Sequence, residues 1–145
     1  MLDAALLKPW VFWAGVGQIV LILGSLAIPR VLQWNKELEP LNPLTRQMFW
    51  VYSGYIWTTN LSFGLLSALA PELLLRPDPL SAMVNAFIAV YWGARVLIQF
   101  FYFDRSSAPQ GPLYTVAEIA LVLLFNSLTI VYSLAGWCCL QELNG

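Results

Sequence analysis

Long apolar runs, broken by short polar segments bounded by proline, divide the chain into four. The runs cover about residues 9–33, 43–70, 79–103 and 112–140. At about 1.5 Å of rise per residue, each is long enough to cross about 30 Å of hydrocarbon. None shows the strict alternation of a barrel strand. The pattern therefore predicts an all-α membrane protein: one domain over residues 1–145, four transmembrane helices in an antiparallel bundle. Short connections make consecutive helices antiparallel neighbours.

The expected helix starts share a grammar: "KPW", "NPL", "DPL" and "GPL". Proline fits the first helical turn, where its missing N–H would have no partner. Asn42 and Asp78, directly before two of these prolines, are good N-caps. The first 27 residues superficially resemble a signal peptide, with Ser25 and Ala27 at cleavage spacing. Asp3 and a long apolar stretch argue instead for a first helix that stays in the protein.

Composition strengthens the membrane reading. The 145 residues are 59% hydrophobic and only 10% charged, against about 25% charged in a typical soluble domain. A net charge of −1 gives no basic stripe for nucleic acid. The absence of histidine removes the commonest acid–base group and metal ligand. The two cysteines, Cys138 and Cys139, are adjacent, without the two-residue spacing of a metal knuckle or redox pair. They read as small apolar residues near a helix end, and no cofactor is expected.

Loops one and three hold Arg30, Lys36, Arg46 and Arg105, while the opposite side holds Lys8 and Arg76. The excess predicts loops one and three in the cytoplasm and both termini on the other side. Tryptophan and tyrosine near the helix ends, such as Trp10, Trp34, Trp50 and Trp137, fit an aromatic belt.

The candidate chemistry lies within the helices. Arg95, in "AVYWGARVLIQFFYFDR", sits about 13 Å along its helix from Asp104. A lone arginine at that depth costs about 2.5–3.5 kcal/mol on insertion scales. Glu118 enters from the same face at a matching depth, so an intramembrane Arg95–Glu118 ion pair is expected. Spacing of three and four places Ile88, Trp92, Arg95, Gln99 and Tyr102 on one face, and Tyr114, Glu118, Val122, Phe125, Thr129 and Tyr132 on another. With Tyr55, Trp57 and Thr59 of the second helix, Trp92, Gln99, Phe125 and Thr129 form a candidate ligand pocket. Gly17 and Gly24, one heptad apart, are candidate helix-packing positions. Gln18, Asn60, Asn85 and Asn126 are candidate hydrogen-bonding glue between helices.

These features favour a small non-catalytic accessory or structural subunit of a larger membrane assembly. Its partners would be the lipid bilayer and other membrane subunits, or copies of itself. The alternative is a binder or carrier of an amphiphile (lipid, quinone or isoprenoid), with Arg95 holding its head. A membrane enzyme using Glu118 is the third reading, weakened because an arginine partner would keep that carboxylate ionised.

Overall fold

The computed structural model describes residues 3–103, 106 and 111–144. They are all-helical, without a strand: α1 (Ala4–Ser25), α2 (Ile28–Val31), α3 (Trp34–Glu37), α4 (Pro43–Leu69), α5 (Pro71–Leu74), α6 (Pro79–Phe101) and α7 (Pro112–Asn144). Asp104, Arg105 and most of the third loop fall outside the described residues.

Among the described residues, three helices are long and apolar enough to cross a membrane. These are Ala4–Val31, Pro79–Phe101 and Pro112–Asn144, with mean hydropathies of 2.1, 1.4 and 2.0. The second helix, α4, has the length at 27 residues. It is not one of the three, because polar positions such as Thr45, Gln47, Thr58, Thr59, Asn60 and Ser62 dilute its apolar run.

Proline opens α4, α6 and α7, behind Asn42, Asp78 and Gly111 respectively. Asn42 Oδ1 accepts the Thr45 N–H at 2.9 Å, and Asp78 Oδ1 accepts that of Ser81 at 2.9 Å. The first helix departs from this grammar. Asp3 caps it, accepting the Ala5 N–H at 3.1 Å, so the helix starts five residues early and carries Pro9 inside. Nor does it run to residue 33. It stops at Ser25, and the chain turns through α2 and α3 about Gln33, a non-glycine residue at φ 49°.

Each long helix buries one narrow stripe. On α1 the stripe is Leu7, Val11, Ala14, Gly15, Gln18 and Ile22, at alternating spacings of four, three, one, three and four. The α1–α4 crossing is the closest approach. A Cβ on Gly15 would lie 2.6 Å from the Ala68 nitrogen and 2.8 Å from the Gly64 carbonyl oxygen, and one on Gly64 would lie 3.0 Å from Ile19. Gly15 must be glycine for the backbones to approach this closely, and a side chain at Gly64 would be tight against Ile19 and the Gly15 carbonyl. Residue numbers rise on α1 as they fall on α4, so the two run in opposite directions. The same holds for α6 and α7, where Asn85 meets Gly136 and Gln99 meets Glu118. α1 also packs on α7, and Phe63 of α4 meets Phe87 and Tyr91 of α6 edge-on.

Burial runs opposite to that of a water-soluble protein. Gln18, Ser67 and Asn85 are wholly enclosed, while Trp10, Trp13, Leu23, Phe87 and Phe101 face outward. An outer surface this apolar suits hydrocarbon rather than water.

Candidate functional site

At the centre, enclosed side chains from four helices form a chain of hydrogen bonds. Trp92 Nε1 on α6 donates to Gln18 Oε1 on α1 at 3.2 Å. Indole is only a donor, which fixes the orientation of the glutamine amide. Gln18 Nε2 then donates to the Tyr132 hydroxyl on α7 at 2.6 Å and to the Ala14 carbonyl at 3.4 Å. The Tyr132 hydroxyl lies 2.5 Å from Ser67 Oγ on α4. Having accepted from Gln18, it has a proton left for Ser67. Four side chains, each at most 1% exposed, thus link all four long helices.

A second knot closes one end. Asn85 Nδ2 donates to the Leu74 carbonyl at 2.6 Å and to that of Ser81 at 2.9 Å. Ser81 Oγ donates to the Leu73 carbonyl at 2.7 Å. Cys139 Sγ also donates to the Leu74 carbonyl, at 3.3 Å. These bonds satisfy carbonyls at the end of α5, which has no continuing helix to accept from. Both cysteines are buried thiols.

The Arg95–Glu118 ion pair does not form as a direct contact. Among the described residues the one ion pair is Lys8–Glu72, at 3.6 Å on the surface. The half-buried Arg95 instead places its guanidinium 5.1 Å from the Phe103 ring centre and 5.6 Å from that of Phe125. Phe103 lies beyond the C-terminal end of α6, so the side chain reaches toward the helix end, where a long cation escapes hydrocarbon. Gln99, one turn on from Arg95, donates to Glu118 Oε1 at 3.4 Å. The depth match therefore joins Gln99, rather than Arg95, to Glu118.

The residues of the expected pocket are dispersed. Trp92 and Phe125 are stacked at 5.2 Å and buried, so their rings fill the space that a ligand would need. Thr129 Oγ1 is bonded to the Phe125 carbonyl at 2.8 Å. Tyr55 points outward, at 66% exposed, and Thr59 is half-buried. Trp57 of that set lines an open cavity of about 770 Å³ between α2, α3 and α4. Of the candidate packing positions, Gly17 sits 3.1 Å from Leu124 of α7, measured from an added Cβ, while Gly24 has no neighbour within 4 Å. The tight position is Gly15, two residues before Gly17.

Three features escaped the sequence reading: Ser67 as a partner of the central chain, the Gly15–Gly64 crossing, and the cavity at loop one. The first two carry a signal, since Asn60, Gly64 and Ser67 recur at spacings of four and three on an otherwise apolar helix. Comparison with known protein families, curated proteins and solved structures finds no match.

Proposed function

We propose that this protein is a small non-catalytic integral membrane subunit, accessory to a larger membrane assembly, with all four long helices crossing the bilayer. The carrying observation is the Trp92–Gln18–Tyr132–Ser67 chain, which commits the central polar side chains to holding helices together. The Gly15–Gly64 crossing favours α4 as a fourth span, because it lays the C-terminal part of α4 along the middle of α1. Ser53, Thr58 and Ser62 of α4 bond the carbonyls four residues back, at 2.8, 2.9 and 2.8 Å, which makes them tolerable in lipid. Gly24 and Gly54, with open space beside them, leave room for a partner helix to approach. The loop charges favour both termini on the non-cytoplasmic side.

The test is purification from native membranes in mild detergent, with mass spectrometry of what co-elutes. Other membrane subunits at fixed stoichiometry are the expected outcome. A chain that elutes alone, or with lipid only, would sink the accessory reading.

The second reading, an amphiphile carrier, has one observation in its favour: Arg95 lies between two phenyl rings and joins no ion pair among the described residues. Under that reading Arg95→Leu loses a co-purifying anionic amphiphile and keeps its melting temperature.

A further inference from the structure

The cavity at loop one is built from the turn through α2 and α3 and from the first half of α4. Its lining includes Arg30 and Lys36, the amide side chains Gln33 and Asn35, and the indoles Trp50 and Trp57. At about 770 Å³ it falls within the range of small-molecule sites, about 300–1,000 Å³.

We propose that this cavity binds an anionic phospholipid, with the phosphate-bearing headgroup on Arg30 and Lys36 and the start of an acyl chain against Trp57. The backbone assembles the two cations. Gln33 sits in the left-handed region at φ 49°, unusual for a residue with a side chain, and the chain reverses there. The reversal brings Arg30, at the end of α2, and Lys36, within α3, to one opening. Neither forms an ion pair among the described residues, and the nearby Glu37 and Glu39 do not line the cavity. Trp34 stacks edge-on against Phe49 at 4.8 Å and Trp50 at 5.8 Å, fixing α3 to α4 and holding the opening in shape.

The depth of the lining favours a lipid over a free anion. Trp57 lies seven residues beyond Trp50 on α4, about 10 Å deeper along the helix. A cationic mouth with an aromatic wall one headgroup length further in matches the polarity profile of an amphiphile. Arginine offers paired N–H donors to phosphate oxygens, and lysine adds a point charge. The positive excess in loops one and three favours the cytoplasmic leaflet, where anionic lipids concentrate.

The site is independent of the accessory reading, since it requires membrane embedding but no protein partner. It is tested by titrating the purified chain in neutral detergent with short-chain phosphatidylglycerol, the matching phosphatidylcholine, or inorganic phosphate. Bound lipid is read by native mass spectrometry and tryptophan fluorescence. We expect one phosphatidylglycerol per chain, and an affinity at least about tenfold weaker in Arg30→Gln/Lys36→Gln, with the melting temperature retained. Trp57→Phe should keep the bound lipid in the mass spectrum and lose most of the fluorescence response. Phosphatidylcholine bound as tightly as phosphatidylglycerol, or full affinity in the double variant, overturns the proposal. Competition by millimolar phosphate assigns recognition to the phosphate group alone and overturns the acyl-chain part. Arg95→Leu leaves this binding unchanged, which separates the site from the second reading above.

Discussion

At the residue scale the decisive group is Tyr132. Its hydroxyl accepts from Gln18 and meets Ser67, and so joins α1 and α4 to α7. Tyr132→Phe therefore leaves two enclosed polar groups short of a partner. A cost of about 1–3 kcal/mol is expected, read as a lower midpoint in detergent unfolding. Tyr114→Phe, on an exposed ring, serves as control and should change little. Equal midpoints for the two variants would deny the hydrogen-bond chain its structural weight. Asp78 sets a pH dependence of its own. The backbone N–H and hydroxyl of Ser81 hold its carboxyl below the usual carboxylate range. A depressed folded value means a contribution that is full above the ordinary carboxylate range and is lost as pH falls through it and below. Melting of Asp78→Asn, which still caps but does not titrate, should fall less steeply between pH 6 and about 3 than wild type. Parallel curves would remove Asp78 from the acid response.

At the element scale, packing is decided by glycines that periodicity alone does not rank. An added Cβ at Gly15 collides with α4 backbone, which has no soft side-chain end to yield. Gly15→Ala should cost about 1–3 kcal/mol. Gly24→Ala, in open space, should be neutral or slightly stabilising unless a partner helix covers it. Equal melting temperatures in the two variants would contradict the crossing. The same helix shows why part of the fold was legible in the sequence and part was not. Pro43, Pro79 and Pro112 mark true helix starts, because each follows a residue able to end the preceding turn. Pro9 does not, because Asp3 offers a cap six residues earlier. α1 is apolar nearly all round, so its hydrophobic pattern leaves the inward face undetermined, and Gly17 with Gly24 fits as well on paper as Gly15. Gln18 breaks that tie only once Tyr132 and Trp92 are seen to meet it. Arg95 and Glu118 share a depth, but depth does not set rotamer, and the guanidinium lies against the rings of Phe103, just past the end of α6, and Phe125 on α7. The loop-one cavity was unreadable for another reason. It needs α2, α3 and α4 to converge, and two of those have four residues each, too short for any periodicity.

At the scale of the whole molecule, the proposed crossing by α4, beside the three helices apolar enough to span a membrane, makes a labelling prediction. Single cysteines at Glu39 and Arg76, both exposed and flanking α4, should label from opposite sides of sealed vesicles. Labelling from one side would leave three crossings and place α4 along a surface. Cys138 and Cys139 are at most 1% exposed, so the background should stay silent. The central hydrogen-bond chain also bears on how the protein is made. Gln18 and Tyr132 are 114 positions apart, and of the four long helices the one made last carries the tyrosine. Until it arrives, α1 resides in the membrane with a glutamine amide that lacks its main acceptor. Synthesis interrupted before α7 leaves that amide in hydrocarbon without the hydroxyl it bonds in the folded protein.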